Sequence, residues 1–277
     1  AAGISAIFNA PIAGAIFAME VILVNVAITH VVPVLIASAS AAFLSSLIYK
    51  GQPFVLITDS WNTAALPWYI ALAFFCAFVA SYGVRTYFVV GDGLKNVRRP
   101  YVRALIGGTA LGGLILFFPP LLGEGYDGVL KLLHGEASSL SEHAPVMLSL
   151  GAWNLEALVL GLMLLKVLAT SLTVGAGGNG GMFGSSLFTG AMAGFGFAHG
   201  VNLLGFAQLN EVNFTVVGMA AVLSGTIHVP LTAIFLIAEI TGGYALFVPL
   251  MTVSSLSYLV ARWLVPYSVY SRPEPTL

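Results

Sequence analysis

The chain has 277 residues, of which 58% are hydrophobic and only 8% charged, against about 25% charged in an ordinary soluble domain. That balance describes an integral membrane protein whose first partner is the lipid bilayer. Lys and Arg (10) nearly cancel Asp and Glu (11), so net charge gives no nucleic-acid footprint and any ion preference must come from local chemistry.

The sequence is hydrophobic almost from Ala1, without a basic leader, and is expected to be a fragment of a longer protein. Apolar stretches of spanning length run over 12–48, 64–90, 103–122, 157–174, 185–206 and 213–265. Pro33 is expected to interrupt the first. Gly225, Pro230, Gly242 and Gly243 are expected to cut the last into pieces too short to cross singly. Non-helical backbone at membrane depth is tolerated only inside protein or along a water-filled cavity, so these breaks favour a transporter or channel over an anchor. The single cysteine, Cys76, reads as a small buried hydrophobe and excludes an intramolecular disulfide.

Arg85, Lys95, Arg98, Arg99 and Arg103 fall around one connector with only Asp92 opposing them, which predicts a cytoplasmic connection. Residues 123–156 carry Glu124, Asp127, Glu136, Glu142 and Glu156 against Lys131 alone and fit the outer face. Arg262 and Arg272 flank the last apolar run and favour a cytoplasmic C-terminus. Lys166, inside the run 157–174, is expected to snorkel or to pair with a carboxylate. His30, His134, His143, His199 and His228 show no i, i+4 pair and no HExxH pattern, so no metal site and no cofactor is expected.

Residues 1–21, AAGISAIFNAPIAGAIFAMEV, lie on residues 220–240, AAVLSGTIHVPLTAIFLIAEI, without a gap. Ala1/Ala220, Ala2/Ala221, Ser5/Ser224, Pro11/Pro230 and Glu20/Glu239 coincide. In both copies a small-residue segment leads to Pro at the first turn of a helix, and a Glu closes the apolar run. Internal repeats are a recurring plan of transporters. Residues 1–21 are read as the end of a first structural repeat, 22–272 as a second, and 273–277, with Pro273 and Pro275, as the start of a cytoplasmic linker. Glu20 and Glu239 are intramembrane carboxylates, expected to be structural acceptors at a helix junction or proton-linked groups.

The most informative segment is GAGGNGGMFGSSLFTGAMAG, Gly175 to Gly194. Its glycines allow turns whose N–H groups converge into an anion-binding concavity. Ser185 and Ser186 are expected to begin a helix, whose unsatisfied N–H groups attract an anion without a buried Lys or Arg. The competing reading is that these glycines only let helices approach, which suits Gly190 and Gly194.

Together these residues resemble the CLC family of chloride channels and chloride/proton exchangers. AGISAIFNAPIAGAIFAME looks like the family's helices G and H, GGMFGSSLFTGAMAG like its Gly-x-Phe-x-Pro motif and helix N, and VPLTAIFLIAEIT like helix P. The resemblance covers helices G to R and implies an all-α, multi-pass, inverted-repeat fold of short, broken and tilted helices, here the second half plus the end of the first. It implies that Met182 and Phe183 amides, within Gly181–Gly184 and Ser185, bind the anion together with the hydroxyl of Tyr267, or of Tyr270 if the register slips. Ser185 stands where the family motif usually has Pro, and Glu20 is followed by Val21 where many exchangers carry a second glutamate, which tilts toward a channel.

The resulting expectation is chloride transport through a dehydrated site by a channel or weakly coupled exchanger, not an enzyme. The protein would be a homodimer in the plasma membrane, with residues 31–48 and 229–262 forming much of the interface. The alternatives are a chloride/proton or fluoride/proton antiporter of the same family and, more remotely, a cation-coupled transporter of different fold.

Overall fold

A computed structural model describes residues 1–22, 28–48, 60–140, 153–242 and 244–272. His143, Glu142, Gly243, Pro273 and Pro275 lie outside the described residues. Among the described residues all regular structure is helical: α1 (Ala2–Phe8), α2 (Pro11–Phe17), α3 (Ile28–Ile48), α4 (Leu66–Lys95), α5 (Pro100–Phe117), α6 (Tyr126–Leu133), α7 (Asn154–Gly175), α8 (Met182–Leu203), α9 (Glu211–Ile227), α10 (Pro230–Ile240) and α11 (Phe247–Leu264). Among the described residues, five stretches are long and apolar enough to cross a membrane: Val31–Ile48, Thr63–Lys95, Pro100–Phe117, Asn154–Gly175 and Phe247–Leu264.

The protein is therefore all-α, and two expected breaks move. Pro33 sits inside α3, near enough to its start that a missing N–H withdraws one backbone bond without ending the helix. Gly225 lies inside α9; a Cβ there would stand 2.8 Å from Ala80 Cβ and 3.1 Å from Ala261 Cβ, so this glycine serves packing against α4 and α11. The break comes later, at His228, whose φ of 65° ends α9 in the left-handed region.

That turn repeats. Asn9, at the matching position of the first copy, ends α1 with φ 50°. In each copy an uncapped residue follows, Ala10 or Val229, and then Pro at the first helical position, Pro11 or Pro230. The two glutamates complete the relation crosswise. Glu20, in the widened π turn Ala18–Ile22 after α2, accepts from Leu231 N (3.0 Å), Thr232 N (2.8 Å) and Thr232 Oγ1 (2.6 Å) at the start of α10. Glu239, near the end of α10, accepts from Ile12 N (3.0 Å) and Ala13 N (2.8 Å) at the start of α2. Each carboxylate satisfies the orphan amides and opposes the dipole of the other repeat's helix.

The core gathers around α8 and α9, which are almost wholly buried. Their backbones touch through glycine: a Cβ on Gly194 would lie 2.1 Å from Phe214 O, and one on Gly218 2.4 Å from Gly190 O. Small residues give this approach its van der Waals gain where water supplies no hydrophobic drive. Tyr69 of α4 stacks on Phe214 at 4.3 Å between ring centroids, closing the α4 side of the core. The stretch 185–206, expected to span, is thus a protein-covered helix rather than a lipid-facing one.

Candidate functional site

At the end of α7 the chain folds back on itself. Ala176, Gly177 and Gly178 amides donate to Leu172, Val174 and Thr173 carbonyls at 2.9–3.0 Å, and Gly177 takes a φ of 99° that favours glycine. Gly181 is fully extended, and α8 starts at Met182, three residues before Ser185, where the sequence reading begins the helix. No side chain caps this start. The first-turn amides of α8 therefore carry the positive end of the helix dipole, about half a unit charge, without a side-chain cap, although the Glu124 carboxyl carbon stands 3.9 Å from where a Cβ on Gly184 would lie.

The start of α8 opens onto a cavity of about 710 Å³. Phe183, Gly184 and Ser185 line it from α8, Gly180 and Gly181 from the turn before α8, Thr170 and Lys166 from α7, Glu124 from the connector before α6 and Tyr126 from the first turn of α6. Met182 is buried and does not line it; its side chain faces the core. Phe8 and Phe17 close one wall, packing on Phe183 at 5.7 and 5.8 Å between centroids. Ser185 is placed at the cavity without capping the helix. Its Oγ lies 2.9 Å from Thr170 Oγ1, which is also 3.0 Å from the Lys166 carbonyl. When Thr170 donates to Ser185 Oγ, the Ser185 proton is free for an acceptor in the cavity; when Thr170 donates to the Lys166 carbonyl, Ser185 donates to Thr170 Oγ1 instead.

Lys166 neither snorkels nor forms a direct ion pair among the described residues. Its ammonium is held by the Leu121 and Gly123 carbonyls at 3.1 and 2.6 Å and stands 5.0 Å from the centre of the Phe188 ring. Three donors on a nitrogen with two carbonyl partners leave one direction open, and Lys166 lines the cavity. Glu124 and Tyr126 stand on the same wall. Burial, with the Glu124 charge beside it, pushes the Tyr126 phenol up, so it stays a neutral donor.

The structure brings together Gly181, Phe183, Gly184 and Ser185 but does not add Tyr267 to them. Tyr267 packs edge-on against Phe88 of α4 at 5.5 Å and does not line the cavity. Tyr270 takes that place: its hydroxyl oxygen is 3.9 Å from where a Cβ on Gly181 would lie. The reason is a turn at 268–271, closed by Ser268 and Ser271 hydroxyls 2.9 Å apart, which points the two tyrosines in different directions. Glu20 and Glu239 are away from the cavity, at the helix junction. Thr170, Glu124 and Tyr126 were not singled out as site residues by the sequence. Among the described residues, no group of three or more His, Cys, Asp or Glu could hold a metal ion.

A family model described as "Voltage gated chloride channel" matches residues 1–262. The chain is 30% identical over 279 residues to a putative chloride channel protein ClcB-like of Ralstonia nicotianae, covering 98% of this chain and 60% of that protein. It is 28% identical over 284 residues to the H(+)/Cl(-) exchange transporter ClcA of Vibrio cholerae, covering 98% of this chain and 57% of that one. The chain thus spans less than two thirds of either relative. A crystal structure of a slow cyanobacterial Cl-/H+ antiporter superposes with a TM-score of 0.78 at 23% identity, over 97% of this chain and 61% of that one, and shares its fold. With a match that runs through α1–α10 and nearly all of α11, the chain belongs to the voltage gated chloride channel family.

Proposed function

We propose that this chain forms the second half of an anion pathway in which a dehydrated chloride ion is held by the Met182 and Phe183 amides, within Gly181–Ser185, and by the Tyr270 hydroxyl. One observation carries the reading: the start of α8 has no side-chain cap and opens onto the cavity. An anion there completes the orphan amides as a cap would. Amide and hydroxyl donors bind a dehydrated anion firmly enough to enter and weakly enough to leave. Lys166 supplies a fixed positive charge on the same wall, offset by Glu124.

The relatives' printed names include both a channel and an H(+)/Cl(-) exchanger. Val21 carries no proton and favours a channel or weakly coupled exchanger; chloride/proton and fluoride/proton antiport are the competing outcomes. The chain acts as a transporter and not as an enzyme, and its working unit is a homodimer in the plasma membrane with a cytoplasmic C-terminus. The exposed apolar side chains of Leu35, Ile36, Phe43 and Leu47 on α3 and Leu231 on α10 support a protein or lipid partner along that face. The experiment reconstitutes the protein at its natural length in chloride-loaded liposomes and records chloride efflux with external pH. Efflux without proton uptake supports a channel, and stoichiometric uptake makes it an exchanger. Fluoride flux exceeding chloride flux in matched vesicles identifies a fluoride pathway. Absence of any anion flux refutes the reading.

A further inference from the structure

The segment that carries Tyr270 is short, irregular and held at its far end by a single side chain. Arg272 donates to Asp92 Oδ2 at 2.5 Å, and its guanidinium stands 4.5 Å from the centre of the Phe88 ring and 6.0 Å from that of Tyr267. Phe88 and Asp92 are one turn apart on α4, so they form a paired receptor for one planar cation, a ring face and a carboxylate. Tyr267 packs on the edge of the same ring. Between these anchors the turn is closed by its own short side chains. Ser268 N donates to Ser271 Oγ at 3.1 Å, Ser271 N to Ser268 O at 3.2 Å, and Tyr270 N to Ser268 Oγ at 3.3 Å. One further tie, Val269 N to Thr226 O at 3.4 Å, joins the turn to the end of α9.

The geometry points to Arg272, with Asp92 and Phe88, as the positioning group that sets where the Tyr270 hydroxyl stands against Gly181, so that anion selection in the cavity depends on a clamp at the end of α4. This rests on the reading of Tyr270 as an anion ligand. The clamp cannot be explained as a contributor to global stability. Its carboxylate and guanidinium are 47% and 34% exposed, and ion pairs that open to solvent contribute little to unfolding free energy. Lys95 also approaches Asp92, at 3.7 Å on the other oxygen, but it is more exposed and has no ring to stack on. What the clamp controls is local. Only Ser271 separates Arg272 from Tyr270, and the hydrogen bonds that close the turn through Ser268 and Ser271 pass a displacement of one end to the other.

The test measures the thiocyanate-to-chloride flux ratio and the half-saturating chloride concentration in liposomes for Asp92→Asn, Arg272→Lys, Phe88→Leu, Tyr270→Phe and the double variant Tyr270→Phe with Asp92→Asn. Asp92→Asn is expected to shift the ratio by about three- to tenfold, in the same direction as Tyr270→Phe. The double variant should match Tyr270→Phe alone to within about twofold, because a clamp that acts through the hydroxyl has nothing left to position. Arg272→Lys keeps the charge and loses the planar stacking, and Phe88→Leu keeps the ion pair and loses the ring; each should give a smaller shift of the same sign. Melting temperatures should stay close to the parent protein throughout. A Tyr270→Phe shift with none from Asp92→Asn overturns the clamp, and so do shifts that simply add in the double variant. No shift from Tyr270→Phe removes the tyrosine itself from the site, a separate failure of the function proposed above.

Discussion

The crosswise glutamates allow a graded test of what holds the two repeats together. Glu20 accepts three hydrogen bonds at the start of α10 and Glu239 two at the start of α2. Bonds to a charged acceptor contribute about 1.5–3 kcal/mol each, and because both carboxylates are partly exposed, water replaces part of the loss and leaves about 1 kcal/mol per bond. Glu20→Ala should therefore cost about 3 kcal/mol and Glu239→Ala about 2 kcal/mol, in that order. At about 2–4 °C of melting temperature per kcal/mol, the expected drops are on the order of 10 °C and 6 °C. Glu20→Gln keeps one acceptor oxygen but loses the charge and turns an NH2 toward the Thr232 donors, so about half the loss remains. The assay is thermal unfolding of the reconstituted or detergent-solubilised protein, followed by tryptophan fluorescence and by retention on size exclusion, with anion flux measured beside it. Flux at temperatures below the transition should be retained. The reasoning fails if Glu239→Ala is the more damaging of the two. It also fails if Glu20→Gln abolishes flux while leaving the transition where it was, for then the carboxylate acts on protons or ions and not as a cap.

Other expectations follow from single contacts. Gly194→Ala would drive a methyl to within 2.1 Å of the Phe214 carbonyl, and because that neighbour is backbone the α8–α9 contact must open; a loss of about 3 kcal/mol or failure to accumulate in the membrane is expected, read by thermal unfolding and expression. At Gly181 the nearest atom to an added Cβ is the Tyr270 hydroxyl at 3.9 Å, so Gly181→Ala should fold and conduct, whereas Gly181→Val should cut anion efflux at least about tenfold with an unchanged melting temperature. Lys166→Met leaves the Leu121 and Gly123 carbonyls without their donor; flux should fall with a raised half-saturating chloride concentration, together with a loss of about 1–3 kcal/mol. If Lys166→Met changed stability alone, its place in the cavity would carry no functional weight.

Much of the architecture was legible because it is local. Composition separates membrane from water, and the Pro-to-Glu spacing of the two copies announced a repeat before any helix was placed. The glycine run before α8 was readable as a non-helical break, since a chain with so few side chains neither propagates a helix well nor blocks an approaching ion. Helix starts were less legible. Ser185 and Ser186 carry the cap-forming residue types, yet α8 begins at Met182, where the start is set by the extended Gly181 and the packing of α7 rather than by a side-chain cap. Gly225 and Pro33 look like breaks in any sequence, but a helix that buries one glycine against two neighbours, or meets its proline near the N-terminus, continues through both.

The remaining assignments depended on distance between residues far apart in the chain. Nothing in the order of residues says that Glu20 meets Thr232 or that Glu239 meets Ala13, even though the repeat pairs the glutamates with each other. The same holds for Lys166, whose partners are carbonyls some 45 residues away and carry no side-chain signature at all. Tyr267 and Tyr270 are the sharpest case. Both sit in one apolar-to-polar border sequence, and only the turn closed by Ser268 and Ser271 sends the first to Phe88 and the second to Gly181. The sequence by itself determined a helical membrane protein, its internal repeat and its glycine-rich break, because those follow from hydropathy, periodicity and backbone freedom along the chain. Which hydroxyl, which cation and which carboxylate stand at that break was decided by tertiary structure, because side-chain direction is set by the elements that pack against it.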